Sequence, residues 1–202
     1  MDTNVKFMGP YMVSQEPPLY LSGITKEDLP EMVRVANLDQ AIFNGTGTFL
    51  YPFLDSHAEQ RLAGAERYRA NRGYNGQWAM RTRPDGPLIG WISVYEFEEA
   101  DWAKHPVTGR ALKTVETGYW MSSEYAGQGL TSRAMLFIKE EIVVKELQAE
   151  LFTADAYVWN RASQRVLEKI GMSVSVANKK VFIPKFGEER EVVTYVWYAD
   201  GV

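Results

Sequence analysis

The chain has 202 residues, a formal net charge of −4, 46% hydrophobic and 24% charged residues, and no cysteine. That size and balance suit one ordinary globular domain with a sizeable core, and the missing cysteines exclude disulfides, thiolate metal sites and an acyl-cysteine intermediate. The acidic balance argues against a general nucleic-acid binder, which needs a basic stripe, and no run approaches the roughly 18 apolar residues of a membrane span.

Residues 1–17 carry Gly9, Pro10 and Pro17 with little periodicity and read as a surface arm, leaving 18–202 as a single domain. The first residues, Met1 to Lys6, hold no apolar signal region, so a cytoplasmic protein is expected. Leu19 to Gly23 predicts a short strand. Thr25 or Asp28 can cap a helix with Leu29, Met32, Val33 and Ala36 on one side, and Pro30 then falls harmlessly in its first turn. From Ala41 to Leu54 the chain holds Gly45, Gly47, Pro52 and the aromatics Phe43, Phe49, Tyr51 and Phe53. This stretch is either a flap over a substrate or a lid on the core.

Asp55 or Ser56 starts a second helix through Leu62, Ala65 and Tyr68, ending near Asn71 to Gly73. Gln77 to Thr82 and Leu88 to Tyr95 form a predicted hairpin around the Pro84-Asp85-Gly86 turn. A long polar loop over 96–112 follows, acidic at Glu96, Glu98, Glu99 and Asp101. It either steers a cation or is a solvated face.

The most informative stretch is 116–135, which reads as a buried strand, a tight turn with Gly127 and Gly129, and the first turns of an amphipathic helix. Leu130, Ala134, Phe137, Ile138 and Ile142 recur at spacings of three and four. Glycines at such a junction let backbone approach an anion, and the unpaired amides and dipole of the helix start favour its charge. A phosphorylated ligand is expected there; taken alone, the same junction also serves where the chain merely needs a positive dihedral. An apolar strand at Leu151 to Val158 leads into Asn160, Ser163 and a short helix that stops at Gly171. Val174 to Ile183 and Val192 to Tyr198 close the chain as a hairpin over Pro184 to Gly187.

The two segments together, over residues 114–172, resemble the GNAT superfamily of acetyl-CoA-dependent N-acetyltransferases, and within it the RimJ/RimL-type branch. The resemblance lies in the Gly-x-Gly turn, the Gly118 to Met121 strand and the helix Asn160-x-x-Ser163 to Lys169-x-Gly171. It implies a mixed α/β fold, a twisted sheet of about seven strands flanked by about four helices. It also implies acetyl-CoA as cosubstrate and an amine acceptor, either a protein N-terminus or a small molecule. The resemblance places the diphosphate on Ala126, Gly127, Gln128, Gly129, Leu130 and Thr131, the pantetheine along Trp120, Met121 and Ser122, and an amide contact on Asn160, which is also a favoured helix N-cap. An amide near Met121 would polarise the thioester carbonyl. Two positions depart from the family: Glu124 stands where the turn pattern has Gln or Arg, and Leu167 where many members carry a proton-donating Tyr. In the RimJ/RimL-type branch the candidate donor maps to Ser163; a hydroxyl that orients a water and a plain helix residue are the competing readings.

The acceptor must lose a proton: an α-amine of pKa about 7.7 to 8.0 is roughly a tenth neutral at pH 7, and lysine at about 10.4 far less. Glu116 is the candidate base; period two sets it on one strand face with Gly118 and Trp120. A Glu at the exposed start of a strand is the competing reading. His57 and His105 have no companions at ligand spacing, so no metal is expected. With Leu167 and Glu124 in place, a non-catalytic acetyl-CoA sensor or interaction module is the alternative to an enzyme. As partners we expect an amine substrate, with no nucleic acid and no membrane, and a monomer or homodimer.

Overall fold

The computed structural model describes residues 5–97, 103–105 and 107–199. Eight strands follow the order β1-β2-β3-β4-β5-β6-β8-β7 in one mixed sheet. They are β1 Tyr11–Gln15, β2 Pro18–Gly23, β3 Gln77–Arg81, β4 Gly90–Phe97, β5 Thr114–Met121, β6 Leu151–Tyr157, β7 Ser173–Ile183 and β8 Glu188–Tyr198. The helices are α1 Leu29–Ala36, α2 Ala41–Gly45, α3 Asp55–Arg72, α4 Leu130–Phe137 and α5 Arg161–Lys169. Close contacts divide the chain into two compact units. One is formed by residues up to Ser93 with Tyr119–Ala134, the other by Val94–Gly118 with the residues from Met135 onward.

In the first unit, β1 lies where an arm was expected, because Tyr11 and Met12 pair with Leu21 and Tyr20 of β2. Thr25 and Asp28 act together at the next helix start: the Asp28 carboxylate accepts from the Thr25 amide at 3.0 Å, closing a short 3-10 turn before α1. Asp28 is buried and also meets the Arg81 guanidinium at 2.7 Å, while Arg81 donates to Ser22 Oγ and the Gly86 carbonyl, each at 2.8 Å. Removing the Asp28 carboxylate would strand that buried charge, a loss of about 3–5 kcal/mol readable as a fall in Tm.

The aromatic stretch contains α2, which the glycine content had hidden, and then turns inward. Phe49 and Phe53 are buried and stacked at 4.9 Å, in a cluster with Met32, Leu62 and Trp91, so this part is a lid on the core. Tyr51 and Leu50 stay exposed. Helix α3 ends as predicted at Gly73, whose φ of +74° lets its amide return to the Arg69 carbonyl at 2.8 Å.

In the second unit, β6 pairs antiparallel with β8 along its whole length, Leu151↔Tyr198 to Tyr157↔Val192. Its pairing with β5 is parallel and short, running from Thr114↔Leu151 to Glu116↔Thr153. The helix begun by α4 continues over Ile138–Glu146 in a wider winding, seen where the Leu147 amide reaches the Ile142 carbonyl at 2.8 Å. Ile138 and Ile142 are buried there, as the spacing predicts. Lys139 is buried too, and it donates to the Ile170 carbonyl at 3.0 Å, satisfying the end of α5. Of the acidic loop, Glu98, Glu99 and Asp101 lie outside the described residues. Glu96 meets Lys113 at 3.5 Å.

Candidate active site

The glycine turn belongs to the first unit. Ser122 is buried, its amide donates to the Ile89 carbonyl at 2.8 Å, and its hydroxyl caps a 3-10 turn by accepting from the Glu124 amide at 3.3 Å. The chain then crosses Gly127 at φ +79° and Gly129 at φ +74°, the left-handed region that costs a side chain about 1–2 kcal/mol. A Cβ built on either glycine would meet no atom within 4 Å, so the space outside the turn is open. The first bond into α4 is donated by Arg133 to the Gly129 carbonyl at 3.1 Å. The amides of Leu130, Thr131 and Ser132 therefore precede the helical ladder, as at any helix start. Ala126 and Gln128 are exposed around them, while Leu130 anchors the helix in the core.

Glu124, at the odd position of the turn, is held by Arg34 of α1 at 3.0 Å, and Arg34 also grips Glu31 at 2.9 Å. Hydrogen bonds to Glu31 first and Glu124 second hold the Arg34 guanidinium firmly protonated. Ser123 donates to Asp39 at 2.6 Å, and this bond keeps the Asp39 carboxyl below its ordinary range. These ties fasten the turn to the α1–α2 segment by side chains that no motif announced.

Upstream on β5, Trp120 is buried with its ring 5.2 Å from Phe49 in an edge-on contact, and its Nε1 finds no hydrogen-bond partner among the described residues. A Cβ on Gly90 would meet the Trp120 carbonyl at 2.7 Å and Met121 Cα at 3.1 Å, so only glycine lets β4 lie against this stretch. Met121 receives a hydrogen bond on sulfur from Thr131 Oγ1 at 3.4 Å.

The second unit holds Glu116, Asn160 and Ser163. Glu116 remains open to solvent at its surface, yet surrounding protein displaces enough water to raise its carboxyl pKa above the ordinary value. Asp155 adds to that rise, and Lys179 opposes it. Asp155 is the one exposed position in the otherwise buried strand β6. It accepts from Thr194 Oγ1 at 2.5 Å and meets Lys179 Nζ at 3.7 Å. The sequence signal for it was a charge inside an apolar strand.

Asn160 is the N-cap of α5, accepting from the Ser163 amide at 3.1 Å, which leaves its own amide nitrogen as a donor. Gln164 is buried and fastens the strand-to-helix junction by donating to the carbonyls of Tyr157 at 3.0 Å and Val158 at 2.8 Å. Leu167 is fully buried, so the position that carries tyrosine in many relatives of this pattern is core here. Among the described residues no cluster of His, Cys, Asp and Glu could hold a metal, and no helix is long and apolar enough to cross a membrane.

Comparison with known proteins identifies the fold. Over 95% of the chain, and 97% of the other, it is similar to a GNAT-family acetyltransferase from Bacillus anthracis, with TM-score 0.69 and 18% identity. It is similar also to RimL, the ribosomal L7/L12 α-N-protein acetyltransferase, solved with coenzyme A, at TM-score 0.70 and 16% identity over 95% of this chain and all of that one. A third likeness is to MccE, the microcin C7 self-immunity acetyltransferase solved with acetyl-CoA and AMP, at TM-score 0.70 and 15% identity over 98% of this chain and 100% of that one. No curated sequence matches significantly. The acetyltransferase (GNAT) domain profile matches residues 19–173, most of the chain and both segments described above, and the protein belongs to that acetyltransferase family.

Proposed function

We propose that this acetyltransferase moves the acetyl group of acetyl-CoA directly to a primary amine, using the glycine turn for the diphosphate and Glu116 for the proton. The turn ahead of α4 carries the reading. Its two left-handed glycines open onto clear space, and the Leu130 and Thr131 amides stand ahead of the helical ladder beside Ala126 and Gln128. A chain that folds this way supplies several N–H donors and a helix dipole to one anionic group.

The remaining roles follow the family pattern residue by residue. Trp120, Met121 and Ser122 offer backbone to the pantetheine arm, a role favoured by the end of β5–β6 pairing at Glu116. The free amide nitrogen of Asn160 suits a pantetheine carbonyl. In the transfer, the amine lone pair forms the N–C bond, the C–S bond breaks, Glu116 accepts the proton lost by nitrogen and releases it to solvent, and the Ser163 hydroxyl relays a proton from solvent to the departing sulfur. A carboxyl raised by desolvation is a stronger base than an ordinary one and better matched to an amine.

RimL acts on a protein α-amine, and the net charge of −4 here suits a basic acceptor, so peptides with a free N-terminus are the first amines to try. Fold does not choose among them. The test is thiol release from acetyl-CoA across peptides, polyamines and amino compounds, beside a melting curve. At 100 times its dissociation constant the ligand should add about 2.7 kcal/mol and raise Tm by about 5–10 °C. A raised Tm with no thiol release from any amine would make the protein a sensor instead of an enzyme.

A further inference from the structure

Strand β7 departs from regular pairing twice within a few residues. It sets Val174 opposite Tyr195, then Val176 opposite Thr194, then Lys179 opposite Val192. Continued without interruption from Val174, the register would set Lys179 opposite Arg190. The two irregularities bring it two residues, or about 7 Å, nearer to Thr194 along β8. Asn178 takes up the second step with φ +56°, a conformation that Asn tolerates better than most residues.

The displacement decides what Lys179 can reach. Val192 and Thr194 stand opposite Tyr157 and Asp155 of β6, and Thr153 stands opposite Glu116 of β5. Residues directly opposite share a face, and so do residues two apart, so Glu116, Asp155, Thr194 and Lys179 all emerge on one side of the sheet. Lys179 lies 3.7 Å from Asp155, and both side chains are partly exposed. Ion pairs of that kind contribute little to folding. Stability alone is a weak reason for two bulges that deliver one.

We propose that Asp155 and Lys179 are positioning residues for the proton step, set against each other around Glu116, with the β7 bulges serving to bring the ammonium to that face. The inference rests on the reading of Glu116 as the base. Among the described residues, Asp155 from β6 and Lys179 from β7 are the charged groups that act on Glu116, β8 presents the neutral Thr194, and Glu96 of β4 is engaged by Lys113. Asp155 pushes the Glu116 carboxyl in the same direction as its desolvation, and Lys179 pulls it back. Asp155 makes the base stronger; Lys179 keeps it ionised to lower pH.

The test needs no knowledge of the acceptor. Carboxyl carbons of glutamate are labelled with carbon-13, the Glu116 signal is assigned by its loss in Glu116→Gln, and its titration is followed by NMR. Asp155→Asn should lower the proton-binding constant of Glu116 and Lys179→Met should raise it, each by roughly two- to fivefold. Lys179→Arg should leave it as in wild type, the double variant should return towards wild type, and added salt should shrink every difference. A Glu116 midpoint unmoved by both single variants, with their melting temperatures alone changed, would overturn the inference. Failure of the base reading is a separate result, undiminished turnover in Glu116→Gln.

Discussion

In the proposed reaction the turn before α4 and the charged face of β5, β6 and β7 have different tasks and use different parts of the chain. The turn works through backbone: two left-handed glycines, amides ahead of a helix, and a buried Leu130 that fixes the direction. The charged face works through side chains, and its geometry depends on which residue of β7 stands opposite which residue of β8. Backbone function follows from residue type at a fixed spacing, whereas side-chain function depends on register. The two should therefore fail in different ways when altered.

The largest effect is expected at the charged face. Glu116→Gln keeps shape and removes basicity, so turnover near neutral pH should fall about 10²-fold, the usual size of a general-base contribution, and recover partly as rising pH delivers more neutral amine. An unchanged rate and pH profile would leave water as the base. A smaller effect is expected at the turn. Gly129→Ala introduces a Cβ that meets nothing in the protein, so beyond the strain of its positive φ it can obstruct only a ligand. Acetyl-CoA affinity should drop about tenfold or more while the fold survives a loss of about 1–2 kcal/mol. Calorimetry and a melting curve separate the two contributions.

Smaller still is the effect of Glu124, whose carboxylate stands beside the turn proposed to hold the diphosphate. Glu124→Gln removes a like charge and should strengthen acetyl-CoA binding by roughly two- to fivefold, at the cost of a solvent-exposed pair with Arg34. Weaker binding would mean that the Arg34 tie shapes the turn. The smallest expected effect is on stability. Because the folded Glu116 carboxyl is raised, its ionisation opposes folding: stability is lost as pH rises from the ordinary carboxyl range through the folded value. Glu116→Gln should thus melt like wild type in acid and slightly higher at neutral pH. A variant less stable than wild type at pH 7 would reverse the sign.

This contrast also explains what could be read from the sequence. The Gly127-x-Gly129 turn, the amphipathic helix, the Asn160 cap and both hairpins follow local rules of spacing and conformation, so they stood out without coordinates. Strand β1 did not, because its pairing with β2 is a tertiary fact hidden behind Gly9 and Pro10. Helix α2 was masked by the glycines and aromatics around it. Asp155 was visible as a charge in an apolar strand, but its relation to Glu116 required the parallel register of β5 and β6. Lys179 was illegible, since two bulges decide what it faces. Arg34 and Asp39 reach the turn from residues 90 and 84 positions away, a separation no motif spans.

The most direct test of the division of labour is a calorimetric titration of acetyl-CoA into wild type, Glu116→Gln and Gly129→Ala. Glu116→Gln is expected to bind as tightly as wild type despite its slow turnover, and Gly129→Ala about tenfold more weakly. If Glu116→Gln lost affinity as Gly129→Ala does, or if Gly129→Ala bound as wild type, the assignment of binding to the turn and of proton removal to Glu116 would be contradicted.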